Sequence, residues 1–418
     1  MNAALRKGWC PSLMMPMASG DGLLVRVKPP AGRLTASNAE AVAEAARLHG
    51  NGFIDLTNRG NLQIRGLSDA SAEDFAGAML ELGLAVPDPA AEAARTVLVD
   101  PLGVDDPMTR GDSRALGLAI EALIVETPEL HELPGKFGFL VDAGKLLPTF
   151  GFGIDIAIRA DAEAWRISLD GCASSARVET GAVIDAVYRL ASIFLARAGE
   201  RAVPARRMRE ITADGGGQRL LESAGLVTDD ASMAPLPNET PPVGFLAHDH
   251  AETGAFVVAA PFGQLQSQEL VALARMAEAF GDGTLRLTCW RAIVLPSVDR
   301  DRAGALAAKA AELGMLVYAG DPRRLVSACP GRPACPAASV DTRADAARLS
   351  ALDIAGVGAI HVSGCAKGCA HPQAAPLTLV GNDGRYDLVR NGPADARPDF
   401  HGLGIAEIVD RLRREGAR

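Results

Sequence analysis

The chain has 418 residues, 48% of them hydrophobic and only 4% aromatic, and a formal net charge of −9. That is enough apolar material for a large core and more than one domain, built mainly from Ala, Leu, Val and Ile. The acidic balance excludes a general nucleic-acid binder, and seven cysteines over this length exclude a secreted disulfide scaffold.

The opening MNAALRKGWCPSLMMPM carries no signal-peptide apolar stretch, and no apolar run approaches a membrane span. A cytoplasmic protein with no membrane partner and with reduced thiols is expected. Residues 18–86 read as a first unit. GLLVRVKPPAG gives a strand and a Pro-Gly turn, and SNAEAVAEAARLHG has helical apolar spacing and ends at Gly. FIDLTNRGNLQIRGL is β-rich, and SAEDFAGAMLELGL closes the unit as a helix. Asn61 and Gln63 alternate with Leu62 and Ile64, so they share one face of their strand.

Residues 87–212 read as an α/β lobe with a hairpin over 155–171 that turns near Asp161. Residues 213–249, beginning DGGG and containing PLPNETPPVG, read as a linker. His248-Asp249-His250 at its end is the only tight group of two His and a carboxylate, a composition that suits iron but also an ordinary solvated turn. Residues 250–318 repeat the first unit without a gap at an offset of 231, matching Pro30 with Pro261, Gly32 with Gly263, Leu34 with Leu265, Ala43 with Ala274 and Gly83 with Gly314. Residues 319–418 form a second lobe, whose hairpin over 376–392 turns at Asp383-Gly384. The chain therefore reads as a duplication. Each half exposes one apolar sheet face, and the two pair about a pseudo-two-fold axis.

Only the second lobe carries a cysteine quartet. Cys329 and Cys335 stand in a C-x5-C spacing, Cys365 and Cys369 in a C-x3-C spacing, both in Gly/Pro/Ala-rich segments where backbone can approach a bulky group. Thiolates suit an iron–sulfur cluster or zinc. The five-residue spacer exceeds a zinc knuckle, and unligated thiols are the remaining reading. Cys172 and Cys289 read as packing residues, and Cys10 as a free thiol near the N-terminal motif.

Quartet and duplication together resemble the sulfite/nitrite reductase family over most of the chain. The resemblance implies an α+β fold with two paired ferredoxin-like halves and two α/β lobes, and a [4Fe–4S] cluster on Cys329, Cys335, Cys365 and Cys369. LTNRGNLQIRG resembles the family strand that faces a tetrapyrrole, and RTVLVDP and LPGKFGF resemble its anion-site segments. Arg59, Arg65, Arg95 and Lys136, with Asn61 and Gln63, are then expected to bind the tetrapyrrole substrate, because guanidinium and ammonium groups pair with its carboxylates. Arg286 and Arg291 are weaker candidates.

The departures from the family matter. Where assimilatory reductases carry an Arg and a second Lys around LPGKFGF, this chain has Gly135 and Gly138. A site stripped of these cations is poorly suited to reducing a small oxyanion. KGWCPSLMMPMASGDGLLVRV, APFGQL, LTCWRAIVLP and GCAKGCAHPQ resemble instead the family branch that acts on precorrin-3A. That resemblance implies an oxygen-dependent monooxygenase of aerobic cobalamin biosynthesis, hydroxylating precorrin-3A at C20 and closing a γ-lactone. It implies O2 as co-substrate and a separate reductase or ferredoxin as electron donor, since no nucleotide-binding loop is present. It also implies a mononuclear non-haem iron, whose ligands stay open; His371, two residues past Cys369, is another candidate. The alternative is a sirohaem-dependent nitrite or sulfite reductase.

Overall fold

The computed structural model describes residues 10–147, 149, 153–162, 164–229, 241–352, 354 and 356–415. The first half comprises β1 (Met17–Ser19), β2 (Gly22–Val27), β3 (Arg33–Thr35), α1 (Ala36–His49), β4 (Phe53–Leu56), β5 (Leu62–Leu67) and α2 (Asp69–Glu81). The first lobe follows with α3 (Pro89–Ala94), β6 (Val97–Val99), α4 (Ser113–Glu126), β7 (Phe139–Asp142), β8 (Ile156–Asp161), β9 (Ala164–Leu169), β10 (Ser175–Val178), α5 (Val183–Gly199), α6 (Arg209–Thr212), α7 (Gly216–Ser223) and β11 (Thr228–Asp229). The second half repeats the first as β12 (Gly244–Leu246), β13 (Thr253–Ala259), β14 (Gln264–Gln266), α8 (Ser267–Phe280), β15 (Thr284–Leu287), β16 (Ala292–Asp299) and α9 (Ala303–Glu312). The second lobe closes the chain with β17 (Val326–Ala328), α10 (Thr342–Ser350), β18 (Ile360–Ser363), β19 (Ala375–Asn382), β20 (Arg385–Gly392), β21 (Phe400–Leu403) and α11 (Ile405–Glu415).

The halves are not self-contained. After β2 the chain turns through Ala31 (φ 49°) and Gly32 (φ 67°), and after β13 through Phe262 (φ 54°) and Gly263 (φ 72°). Each left-handed turn sends the next short strand into the other half's sheet. β3 pairs with β15, Thr35 opposite Thr284, and β14 pairs with β4, Gln264 opposite Asp55. The two five-stranded sheets are thus β1-β2-β5-β4-β14 and β12-β13-β16-β15-β3. Leu34 and Leu265, the middle residues of the exchanged strands, are buried in one core that both halves share. Each such leucine contributes about 1.5–3 kcal/mol by leaving water.

Helices α1 and α8 lie over this core, with Ala39, Ala43 and Ala46 of one and Leu270, Ala274 and Ala277 of the other fully buried. Local caps start the helices where the sequence turns apolar. Thr35 Oγ1 accepts from Asn38 N–H ahead of α1, and Ser68 and Ser71 form a reciprocal capping box ahead of α2.

The lobes carry the sheets β11-β10-β9-β8-β7-β6 and β17-β18-β19-β20-β21. The hairpins expected over 155–171 and 376–392 are β8–β9 and β19–β20. The stretch read as a linker over 213–249 is shorter than expected. Helix α7 buries Leu220 and Leu221 in the first lobe's core, β11 pairs with β10, and β12 already belongs to the second half. Among the described residues no helix is long and apolar enough to cross a membrane.

Candidate functional site

The cysteines lie at the ends of two neighbouring strands. β17 and β18 run parallel, Ala328 opposite Val362, so Cys329 and Gly364-Cys365 leave the sheet side by side. Gly364 N–H donates to Cys329 Sγ at 3.2 Å. A Cβ on Gly364 would stand 2.6 Å from Ala338 Cβ, so glycine lets the two loops close on each other. Cys335 N–H donates to Gly331 O at 2.7 Å, which curls the C-x5-C loop back over the first pair.

All four cysteines are free. Burial, then the neighbouring Cys329, Cys365 and Cys335, push the Cys369 thiol up to about 11; burial likewise raises Cys365. Burial and the neighbouring sulfurs thus disfavour the thiolate form of Cys369 and Cys365, and a bound cationic centre would favour it. Among the described residues no three His, Cys, Asp or Glu side chains gather closely enough to hold a single ion. Four soft thiol donors on two adjoining loops are the ligand type that an iron–sulfur cluster takes, and that chemistry fits this site. His361, on β18, adds to this fit. It is fully buried, both ring nitrogens lack a partner, and its ring packs under Gly368 between the second cysteine pair. Burial and nearby His371, whose ring centroid is 5.8 Å away, push His361 down to about 4, so it is a neutral imidazole with a donor to offer.

Facing this lobe, one sheet of the halves carries a polar rung across four strands. Arg26, Gln63, Asp55 and Gln264 stand opposite one another on β2, β5, β4 and β14, and therefore share a face. Arg26 Nε donates to Gln63 Oε1 at 3.3 Å, Gln63 Nε2 to Asp55 Oδ2 at 3.1 Å and Gln264 Nε2 to Asp55 Oδ1 at 3.2 Å. From the cluster side Arg343 of α10 reaches Asp55 Oδ1 at 2.6 Å. Cys10 lies beside Arg26, and a Cβ on Gly135 would stand 3.5 Å from Cys10 Cβ.

Arg59 sits beyond the rung, on the β4–β5 turn. Its Nη2 donates to the carbonyl of Lys136 at 2.8 Å, while Nη1 is buried with no partner. Burial, then nearby Arg207, lowers its guanidinium to about 10. Arg207 is held by Asp155, with Nε at 3.0 and 3.1 Å from the two carboxylate oxygens, and Asp155 Oδ2 also accepts Gly138 N–H at 3.0 Å. The cations missing at Gly135 and Gly138 are thus partly answered by Arg207, which comes from the far end of the first lobe. Arg26, Arg59 and Arg207 thus lie near one another and form a cationic wall of the kind that pairs with a ligand's carboxylates.

The other expected residues are placed differently. Asn61 and Gln63 are buried, Gln63 inside the rung. Arg65 is 2% exposed and bound to Asp21 (2.9 Å), Ser19 and the carbonyl of Ala334, close to the cysteines. Arg95 is buried between Glu92 (2.9 Å) and Glu121 (3.0 Å), with Lys28 O as a further acceptor. Its charge is already met inside the protein. Lys136 is exposed, and its backbone rather than its ammonium touches Arg59. Arg286 pairs with Asp105 and Asp282. His248 pairs through Nε2 with Asp106 of the first lobe at 2.6 Å, while Asp249 and His250 are exposed, so the His-Asp-His group does not converge. Arg26 and Arg207 were not singled out in the sequence. Arg26 could have been found from strand alternation with Lys28; Arg207 lies in an irregular segment with no such signal.

The model of the nitrite/sulfite reductase ferredoxin-like half domain matches residues 15–82 and 248–313, one in each half. A precorrin-3B synthase of Sinorhizobium sp is 34% identical over 429 residues, covering 97% of this chain and 88% of that protein. A ferredoxin–nitrite reductase of Synechococcus elongatus is 24% identical, covering 91% of this chain and 80% of its own. The structure of the Mycobacterium tuberculosis NirA protein superposes with a TM-score of 0.71 at 20% identity, over 94% of this chain and 80% of that one, a likeness of fold.

Proposed function

The chain belongs to the precorrin-3B synthase family, on the nitrite/sulfite reductase fold, and on that footing we propose that it is a precorrin-3A monooxygenase of aerobic cobalamin biosynthesis. The observation that carries this reading is the 34% identity to a precorrin-3B synthase across nearly the whole of both chains. The reaction hydroxylates C20 and closes a γ-lactone from the ring A acetate. One oxygen atom of O2 enters the product and the other leaves as water, using two electrons and two protons. The electrons come from a separate reductase or ferredoxin, in the reducing cytoplasm.

The cationic side chains near Gly138 support this substrate in chemical terms. Arg26, Arg59 and Arg207 present guanidinium groups to carboxylates, and the orphaned Nη1 of Arg59 is a donor awaiting an acceptor. Gly135 and Gly138 bring no cationic side chain to this region, and Arg59 Nη1 lies 3.2 Å from where a side chain on Gly138 would begin. Asn61 stands just ahead of the strand that carries Gln63; Gln63 holds Arg26 in place, and exposed Lys136 is free to meet a peripheral carboxylate.

Cys329, Cys335, Cys365 and Cys369 would hold a [4Fe–4S] cluster, with His361 and Gly364 N–H beside the thiolates. When bound, such a cluster passes single electrons. The described residues include no three-ligand set for a mononuclear iron, so no step is assigned to one.

The test is to incubate anaerobically purified protein with precorrin-3A, then admit O2 and a reductant. Formation of the C20-hydroxylated lactone supports the reading. Strong sirohaem absorption with nitrite or sulfite reduction, and precorrin-3A left untouched, would establish the reductase alternative instead.

A further inference from the structure

We propose that Arg65, joined by Arg291, is a positioning residue that clamps the cysteine loops to the two halves and sets how readily the bound cluster is reduced. This deepens the reading above and rests on the four cysteines holding a cluster.

The carbonyl of Ala334, the residue before Cys335, receives three donors from the first half. They are Arg65 Nη2 at 2.5 Å, Ser19 Oγ at 2.6 Å and Gly20 N–H at 3.1 Å. The approach is so close that a Cβ on Gly20 would stand 2.1 Å from Pro333 O, so only glycine fits there. Arg65 is aimed by further contacts, with Nε and the same Nη2 each 2.9 Å from an Asp21 carboxylate oxygen and Nη1 3.6 Å from Asp55.

The second half acts on the other cysteine pair. Arg291 Nη2 donates to the carbonyl of Ala370, the residue after Cys369, at 3.3 Å. Arg291 holds a left-handed backbone (φ 59°), a conformation that a non-glycine residue keeps only when its surroundings enforce it.

Each half therefore places one guanidinium on the peptide next to one cluster ligand. The contacts join residues far apart in sequence, so they fix where the loops stand relative to the substrate-binding sheet. They also put positive charge in a buried region where reduction adds an electron, and a nearby cation favours the reduced form. Asp21 and Asp55 offset part of that charge. Losing Arg65 would leave Asp21 without its cation, while Asp55 keeps Arg343, and the uncompensated charge disfavours reduction in the same direction.

The experiment compares parent, Ser19→Ala, Arg65→Lys and Arg65→Met, all purified anaerobically. It measures iron and acid-labile sulfide, the rate of iron release to a chelator, and the midpoint potential by titration monitored by electron paramagnetic resonance. Ser19→Ala keeps every charge and should release iron several-fold faster at the parental potential. Arg65→Lys should keep the potential and release iron faster, because the planar fork is lost. Arg65→Met should release iron faster and shift the reduction equilibrium about tenfold towards the oxidised form, about 59 mV lower for a one-electron couple. A loaded parent with an Arg65→Met protein of unchanged potential and release rate overturns this inference alone. Should Arg65→Met fail to fold, parental release rates in Ser19→Ala and Arg65→Lys overturn it. A parent purified without iron or sulfide overturns the cluster reading, and this inference with it.

Discussion

Gly138 lies directly against Arg59. A Cβ added at Gly138 would stand 3.2 Å from Arg59 Nη1, 2.7 Å from Ile154 Cδ1 and 3.3 Å from Thr96 Cγ2. The absence of a side chain here lets the Arg59 guanidinium occupy space that a lysine would claim. Gly138→Ala should therefore cost about 1–3 kcal/mol of stability by overpacking and should weaken precorrin-3A binding by displacing Arg59. Denaturant unfolding and a binding titration check both. A variant as stable as the parent and binding equally well would show that the contact carries nothing.

Arg59→Met and Arg26→Met should weaken precorrin-3A binding while leaving the iron content unchanged. A charge-assisted pair with a carboxylate in a site closed to water is worth about 1–3 kcal/mol, or roughly 5- to 150-fold in affinity. Unchanged affinity in both variants would move the substrate away from this wall.

Arg95→Met should behave in the opposite manner. Its partners Glu92 and Glu121 are buried, and removing the cation leaves them uncompensated. The expected loss is about 3–5 kcal/mol of stability, with the affinity of the remaining folded protein near that of the parent. Thermal unfolding beside a binding titration separates the two effects.

Lys28 gives a pH signature. Burial pushes its ammonium down from 10.5 to about 8, with Glu92 opposing, while its Nζ donates to the carbonyl of Glu92 at 2.7 Å. Between these pH values the unfolded chain keeps a proton that the folded chain has lost. Stability from this group therefore rises with pH across that window, because the cost of burying the charge disappears. The stability of the parent minus that of Lys28→Met should climb from about pH 8 towards 10.5, by a total on the order of 3 kcal/mol. A flat or falling difference in denaturant unfolding at several pH values would contradict it.

Much of the architecture was legible because its signals are local. Each copy of the repeat and each cysteine spacing is carried by residues close together in the chain, and alternation around Leu62 and Ile64 put Asn61 and Gln63 on one face, in the same motif as Arg65. What that face meets was not legible. Arg65 was expected to contact substrate, yet the second lobe brings Ala334 against it. The exchanged strands RLT and QLQ read the same in either sheet, because a three-residue strand carries no record of its partner. Arg207 was missed because only the fold of the first lobe, through Asp155, brings it to Gly138 and Arg59. The 213–229 stretch was read as linker from its glycines, while the apolar pair Leu220 and Leu221 commits it to the lobe.

On the proposed function the chain puts oxygen from O2 into precorrin-3A. The most direct measurement is the mass of the product formed from precorrin-3A under 18O2 with an electron donor, followed by location of the label. One heavy oxygen at C20 in a γ-lactone product is expected. Unlabelled precorrin-3A recovered intact from protein fully loaded with iron and sulfide, and competent to reduce nitrite or sulfite, would contradict it.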